Sequence, residues 1–573
     1  YLLNKKSEVF KKVKIKVLSD LITVKPRAES AQKYVQTMSI APDGNRAIVE
    51  ARGEVFSLPA EKGYIQNLTR SSGFAERYPA WSPSGRYIAY WSDKSGEYEL
   101  TLRDMKEGAK EKKVSNLGPG FRYNIYWSPD SKKVAYVDQT MTINILNVET
   151  SVNEAIDQDL SLFEGALRGW TPSWSPDSRW LTYSRSQDNG NGAIYLYNLD
   201  DKKLTKATEG FYSDLAPTFG PDGKYLYCVT NRSFNPVYSD MDNTWIYPNA
   251  TQLGVITLRD EVESLLSAEN DTVEIKEEAS EKEGEDAMAK KEEKKETGED
   301  KNVAIDIEGF ERRLEVLPVP AGNMGNLAAT KGKILFMRYP NSGSNGGPSK
   351  LVYYDVKDRK EKAIVEGANG YTLSANGKKV LVASRGQYGI VNVAPKQNME
   401  KTLALKDMEM DVNPREEWKQ IFNDVWRFQR DFFYDKDMHG VDWDAMREQY
   451  GALLDDCVDR ADVNFLIGEL IGELNASHTY RGGGDQETPE SRAVGYLGVD
   501  WEKEGAYFKI KKIIRGAAWD NAVRSPMDAP GVGIKEGAYI LAVNGVSMDE
   551  FQDPWDALEG LAGKTVELTF SDK

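Results

Sequence analysis

Short runs of alternating apolar and polar residues recur along the first 400 positions of the chain, and each follows a turn rich in proline, serine, aspartate or glycine. Alternation with a period of two is typical of a strand with one buried face. Five clear copies and two weaker ones begin at residues 41, 82, 128, 175, 220, 329 and 374: APDGNRAIVEA, SPSGRYIAYWS, SPDSKKVAYVD, SPDSRWLTYSR, GPDGKYLYCVT, ATKGKILFMRY and SANGKKVLVAS. The prolines of the first five are separated by 41, 46, 47 and 45 residues.

A second alternating run follows every copy: EVFSL, YELTL, INILNV, IYLYNL, GVITL, LVYYDV and GIVNV. Several short strands repeated every ~40–45 residues are typical of the blades of a β-propeller. Seven copies therefore predict seven blades, which we place in residues 1–397. The alternative is a β-sandwich whose strands resemble one another by accident. The segment VFKKVKIKV, residues 9–17, is either an edge strand or the tail of an upstream domain.

A long acidic segment separates the fifth and sixth copies. Residues 260–302 hold 17 Asp and Glu and 7 Lys, a net charge of −10, with few apolar residues. Such a composition cannot bury enough apolar surface to order the chain, so we expect a disordered insertion in the propeller. An acidic docking segment is the functional alternative.

Past residue 400 the apolar spacing changes to that of helices, which predicts a small α-helical domain over residues 398–490. The first helix should begin with Asn413 as N-cap and carry an apolar stripe that includes Trp418, Phe422 and Trp426. A second should start at Asp442 and a third near Asp459. The predicted stripe of the third consists of Phe465, Leu466, Ile467, Leu470, Ile471 and Leu474.

The chain holds only two histidines among its 573 residues, and His478 is the more suggestive. In GELNASHTYRGGGD, residues 472–485, it follows the third predicted helix and should lie on a turn. A turn behind a rigid helix can position a catalytic group, but a hydrogen-bonded structural histidine is the simpler alternative. His439 is expected to be a loop residue before a helix.

The last part of the chain, residues 491–573, resembles a PDZ domain. The matching stretches are YLGV, like that family's carboxylate-binding loop, and KEGAYILAVNG, like its characteristic hairpin with a turn at Asn544–Gly545. We also predict a short helix before this hairpin and a second helix in WDALEGLAGKTVELTF. The resemblance implies that a peptide carboxylate binds at Tyr496, Leu497, Gly498 and Val499. The alternative is a structural spacer that binds nothing or only its own chain.

Composition narrows the classes of partner. The net charge of −16 argues against nucleic acid, and the two distant cysteines argue against a disulfide framework or a structural zinc site. No apolar run reaches eighteen residues, so no membrane span is expected. The chain starts with Tyr1 and has no leader-like segment, which would fit a trimmed, processed or partial form. No cofactor and no metal are predicted.

The order of parts, together with FYDKDMHGVDWDAMREQY and ELNASHTY, resembles the tricorn protease family of serine peptidases. The resemblance covers the whole chain and implies a multidomain, mainly β protein: a seven-bladed propeller, a small helical domain and a PDZ domain. It further implies that His478 is the general base and that Ser477 orients its ring. The serine nucleophile and the oxyanion groups would lie in a C-terminal domain absent from this sequence, so the 573 residues alone should be inactive.

The resemblance also implies peptide or unfolded-polypeptide substrates, a homo-oligomer and a cytoplasmic location, or a periplasmic one if a signal peptide was removed. The absence of a GxSxG motif argues against the propeller-bearing α/β-hydrolase peptidases. A non-enzymatic peptide-binding scaffold built from the propeller and the PDZ module is the competing function. TolB-like propellers act as binding platforms, so the repeats do not separate these two functions.

Overall fold

The computed structural model describes residues 1–16, 18, 20–106, 110–162, 166–233, 236–239, 241–246, 249–268, 302–344, 346–486, 491–520 and 522–572. Two compact units are found, Tyr1–Gly482 and Gly483–Lys573. Most of the acidic insertion expected to be disordered, residues 269–301, lies outside the described part, whereas Leu265 and Leu266 near its start pack against the propeller core. Among the described residues, no helix is both long and apolar enough to cross a bilayer.

Among the described residues of the first unit, seven antiparallel sheets of three or four strands follow one another, which confirms the seven-bladed propeller. In each blade the strands are hydrogen-bonded in sequence order, and the quoted repeats form the second and third strands. In the part of the chain that the structure describes, six blades have four strands and the last has three. By blade, the strands are Val35–Ile40, Arg46–Ala51, Glu54–Pro59 and Gln66–Asn67; Glu76–Trp81, Tyr87–Ser92, Glu99–Asp104 and Glu111–Lys113; Tyr126–Trp127, Lys133–Val137, Thr142–Asn147 and Asn153–Gln158; Ser173–Trp174, Trp180–Ser186, Gly192–Asn198 and Lys203–Lys206; Asp214–Phe219, Tyr225–Thr230, Gln252–Thr257 and Leu314–Val316; Asn323–Thr330, Lys333–Tyr339, Lys350–Asp355 and Lys360–Glu366; Gly370–Leu373, Lys379–Ser384 and Gln387–Asn392.

The repeated turn explains why the seven copies resemble one another. Its fourth residue has a left-handed φ, between 61° and 72°, in every blade: Gly44, Gly85, Ser131, Ser178, Gly223, Gly332 and Gly377. Glycine adopts this conformation without cost, whereas serine does not. Both serines use their hydroxyls to join blades, because Ser131 Oγ accepts from the Ser84 amide and Ser178 Oγ from the Asp130 amide, each at 3.0 Å.

The ring closes by packing of the seventh blade on the first. The Asn376 amide donates to the Pro42 carbonyl at 3.1 Å, and Leu381 joins the apolar core of blade one. Outside the ring, strand Arg27–Ser30 pairs with Glu409–Val412, so the chain entering the propeller is fastened to the chain leaving it. Two small hairpins lie apart from the blades: Leu2–Leu3 with Phe10–Lys11, and Val237–Tyr238 with Trp245–Ile246. Within residues 9–17, Phe10 and Lys11 thus pair with the chain's own beginning.

Four α-helices are present in the described residues: α1 Ala166–Gly169, α2 Pro414–Phe432, α3 Trp443–Gly451 and α4 Arg460–Gly472. The last three form the predicted helical domain. The side chains of Asp442 and Asp459 cap α3 and α4, as the sequence indicated, whereas Asn413 precedes α2 without a side-chain cap. Their core includes Trp418, Phe422, Trp426, Leu466, Ile467, Leu470, Ile471 and Leu474. Phe465 was wrongly placed in the buried stripe, because it points away from that face and is 57% exposed.

In its described residues the second unit contains one antiparallel sheet of five strands, Val499–Glu504, Tyr507–Ile513, Tyr539–Val543, Val546–Ser547 and Leu568–Ser571. Both turn residues of the predicted hairpin, Asn544 and Gly545, have positive φ, as a two-residue hairpin turn requires. The short helix predicted before the hairpin is the single 3₁₀ turn Pro526–Asp528. The helix predicted in WDALEGLAG is likewise only the 3₁₀ turn Asp556–Leu558, and Gly560 and Gly563, both with φ of 71°, follow it.

Candidate functional site

Helix α2 is fixed on the propeller by a buried cluster of charges. Asp424 accepts from Arg77 and Arg427, each at 2.7 Å, and Arg427 also pairs with Asp93 of blade two. Burial alone would raise the pKa of the Asp424 carboxyl, but Arg77 and Arg427 outweigh it and hold that pKa below its ordinary value. Because ion pairs need a defined geometry, this cluster sets how α2 lies across the blade.

A cleft of about 790 Å³ opens where α2 ends. Three parts of the first unit line it: loops of the propeller, the end of α2 with the residues after it, and the turn that follows α4. Arg168 comes from the single-turn helix α1. The lining residues are Phe121, Tyr123, Arg168, Phe428, Gln429, Phe432, Phe433, Tyr434, Ala476, Ser477, His478 and Thr479.

Aromatic rings make up much of the wall. Phe121 is buried in the propeller core, and its ring meets Phe428 at 5.5 Å and Phe432 at 6.1 Å between centroids. Phe432 and Tyr434 expose 46% and 78% of their surface. Apolar surface beside a histidine can bind the side chains of a peptide and exclude water from the reacting atoms.

His478 and Ser477 both lie at this cleft, on an exposed turn six and five residues past the end of α4. His478 has a left-handed φ of 60°, and its Nδ1 is 3.2 Å from the hydroxyl of Tyr480. Among the described residues, no group is hydrogen-bonded to Nε2 of His478. An exposed imidazole at the mouth of a large cleft has room for an incoming group.

Ser477 is exposed like its neighbour. The hydroxyl near Nδ1 of His478 belongs to Tyr480, so the predicted orienting role of Ser477 stays a prediction. His439 lies before a helix, as expected, within the 3₁₀ turn Met438–Gly440 of the connection between α2 and α3.

The second unit carries a groove of its own, with a volume of about 530 Å³. Tyr496 and Leu497 lie on it; Tyr496 is 77% exposed and Leu497 is buried in the domain core. Gly498 has a φ of 62°, and Val499 begins the edge strand of the sheet. Within the described residues, the amides of Tyr496 and Leu497 donate no hydrogen bond. Such amides next to an open strand edge suit a peptide terminus.

Three family models match this architecture. They are described as the tricorn protease second beta propeller domain, over residues 35–394, the tricorn protease C1 domain, over 414–472, and the tricorn protease PDZ domain, over 495–573. The first alone spans more than half of the chain. The chain belongs to the tricorn protease family.

Individual members of the tricorn family agree with this assignment. Tricorn protease homolog 1 of Streptomyces coelicolor is 28% identical over 560 residues, covering 93% of this chain and 51% of the relative. A tricorn protease homolog of Saccharolobus solfataricus is 24% identical, over 95% of this chain and 48% of the relative. A crystal structure of the tricorn protease has the same fold, with a TM-score of 0.78, 20% identity, and coverage of 100% of this chain and 53% of that one. The chain thus spans about half the length of these relatives.

The sequence analysis did not predict most of the residues that line the cleft of this tricorn family member. Phe121, Tyr123 and Arg168 precede His478 by more than 300 residues, and no local pattern connects them to it. The stretch FYDKDMHG did carry a signal, since it supplies Phe433 and Tyr434 to the wall.

Proposed function

We propose that this chain is part of a serine peptidase of the tricorn type, in which His478 is the general base. The observation that carries the proposal is the exposed imidazole at the mouth of the 790 Å³ cleft, beside rings that suit a peptide. The names of the relatives, which are tricorn protease and its homologs, support peptide hydrolysis as the reaction.

The chemistry follows from the two ring nitrogens. Nε2 of His478 takes the proton of a serine hydroxyl while that oxygen attacks the peptide carbonyl carbon, and the imidazolium then gives the proton to the departing amine. Water hydrolyses the resulting ester with the same base. For Nε2 to accept, Nδ1 must carry the hydrogen and donate it, and the Tyr480 hydroxyl at 3.2 Å can receive it. Ser477 is the alternative acceptor at Nδ1.

The nucleophilic serine and the oxyanion donors lie, in this proposal, in polypeptide outside the 573 residues. The chain alone should therefore hydrolyse nothing. The propeller channel would guide unfolded peptides toward the cleft, and a homo-oligomer and a cytoplasmic location remain predictions from the family resemblance.

Hydrolysis of fluorogenic peptides by the full-length gene product, with the 573-residue chain in parallel, tests the proposal. His478→Ala should lower kcat by at least ~10³-fold, since general base and nucleophile act as one unit. Ser477→Ala and Tyr480→Phe are a matched pair, and the variant with the larger fall in kcat identifies the acceptor at Nδ1. Turnover that survives His478→Ala would show that the base is wrongly assigned.

Peptide binding by the PDZ unit is a second candidate function, favoured by the groove at Tyr496 and Leu497 and by the edge strand that begins at Val499. Backbone amides of the 496–498 loop would hold a terminal carboxylate while the peptide pairs with the strand edge. Apolar peptides with a free C-terminus should bind the chain at least ~10-fold more tightly than the same peptides amidated, by fluorescence anisotropy. Equal affinities would exclude carboxylate capture.

A further inference from the structure

His439, the other histidine of the chain, does not line the cleft. It contacts the segment that leads into the turn of His478. We propose that His439 is a positioning residue that joins the two segments flanking the cleft and so fixes the turn that carries His478. The proposal rests on the proposed function and adds a residue to it.

The His439 ring bridges the two segments through both of its nitrogens. Nδ1 is 2.7 Å from the carbonyl oxygen of Leu474, and Nε2 is hydrogen-bonded to the hydroxyl of Tyr434. A carbonyl oxygen can only accept, so Nδ1 carries the hydrogen and donates it. Nε2 of the neutral ring must then accept from the Tyr434 hydroxyl. The two contacts together define one tautomer and one ring orientation.

The partners of His439 belong to two different segments that border the cleft. Tyr434 follows α2 and lines the cleft together with Phe433, whose ring lies 5.0 Å from that of His439. Leu474 is fully buried and lies two residues past the end of α4, and the chain continues from it to Ala476 and His478, which line the cleft. The hydrogen bond to the Leu474 carbonyl therefore holds the residues that lead into the turn of His478 against the segment that supplies the aromatic wall.

The backbone around His439 is held in an unfavourable conformation. Met438 and His439 have φ values of 50° and 56°, and Gly440 follows at 82°, so three successive residues are left-handed. Side-chain-bearing residues adopt such angles only where the surroundings enforce them. Here the Met438 side chain is buried, and the His439 amide donates to Asp435 Oδ2 at 3.1 Å. This backbone conformation places the His439 ring within hydrogen-bonding distance of the Leu474 carbonyl.

Two substitutions separate the two bonds. The side-chain amide of asparagine takes the place of Nδ1, so His439→Asn can still donate to Leu474, whereas that of glutamine takes the place of Nε2. In the full-length gene product, His439→Ala and His439→Gln should lower kcat by at least ~10-fold, because a displaced catalytic base costs that much or more. The kcat of His439→Asn should stay within ~3-fold of wild type, and KM should change by less than ~3-fold in all three variants. Lys436→Ala, in the same loop, is the control.

A second measurement does not need hydrolysis. With ¹³C-labelled histidine, this chain gives two ring signals, and His478→Ala assigns the signal that it removes to His478. The proposal expects His439→Ala and His439→Gln to shift or broaden the His478 signal, and His439→Asn to leave it unchanged, while thermal unfolding confirms that each variant is folded.

An unchanged His478 signal in His439→Ala, or equal damage from asparagine and glutamine, would overturn the positioning role. Failure of the proposed function would give different experimental results. In that case the wild-type protein does not hydrolyse peptides or His478→Ala remains active, and the ring signals alone decide the role of His439.

Discussion

Glu76 offers a quantitative test of how the propeller buries charge. It is the first residue of the first strand of blade two and is only 3% exposed. Burial raises the pKa of its carboxyl from 4.5 to about 8, against the hydrogen bond that Ser71 donates at 2.6 Å. At neutral pH the folded protein therefore holds Glu76 mainly in its protonated form.

The raised pKa makes stability depend on pH in a defined direction. Between pH 4.5 and 8 the folded state binds more protons at Glu76 than the unfolded state, so the free energy of unfolding falls as the pH rises. The contribution is fully present below pH 4.5 and is lost as the pH passes the folded value of about 8. At 1.36 kcal/mol per unit, the whole change amounts to at most about 5 kcal/mol.

Glu76→Gln removes this titration while keeping the shape of the side chain. We expect the variant to match wild type within ~1 kcal/mol at pH 5, where both side chains are neutral, and to exceed it by several kcal/mol at pH 9. Urea unfolding at pH 5, 7 and 9 measures the difference, with the exposed Glu308→Gln as control. A variant whose stability follows that of wild type in parallel across this range would refute the assignment of a buried, protonated carboxyl.

Two further predictions concern the junction and the PDZ loop. Asp424→Asn leaves Arg77 and Arg427 without their shared carboxylate, so it should cost about 3–5 kcal/mol and promote proteolysis between the propeller and α2; a loss below ~1 kcal/mol would contradict this. Gly498→Ala places a Cβ 2.9 Å from the Cα of Ser525, whereas Gly505→Ala has a similar φ, +64° against +62°, and nothing within 4 Å. Gly498→Ala should lower the melting temperature of the PDZ unit clearly more than Gly505→Ala. Equal melting temperatures would show that the backbone at Gly498 shifts to accommodate the added Cβ.

The blades were predictable because every copy repeats the same local requirement. A left-handed residue at the end of the turn restricts that position to glycine or a small polar residue, and this constraint appears in the sequence itself at Gly44, Ser131 and Gly377. The helix starts at Asp442 and Asp459 were also predictable from local sequence, since an N-cap involves residues only three positions apart. The family resemblance added the order of the domains.

The cleft was not predictable in this way, because its walls meet through contacts between distant residues. Arg77 and Asp424 are 347 positions apart, and Phe121 meets Phe428 over a similar separation. The position of His478 on a turn behind α4 followed from the helix pattern, but its neighbours did not. The second PDZ helix failed because WDALEGLAG combines a helical apolar pattern with two glycines, and their left-handed conformation prevailed.

The charged cluster at α2 gives the cleft its shape more than its stability. Apolar packing of Phe428 and Phe432 on Phe121 is favourable at many angles, since burial of apolar surface has no preferred direction. The pairs that cross from α2 to blade two, Asp424 with Arg77 and Arg427 with Asp93, are satisfied at only one, and any other position of α2 would separate these partners. Because α2 ends at the cleft and the loop after it reaches Leu474 through His439, the orientation chosen by these charges passes to the turn of His478. Substitutions of Arg77 or Asp93 in blade two, neither of which lines the cleft, should therefore act on the proposed chemistry through kcat.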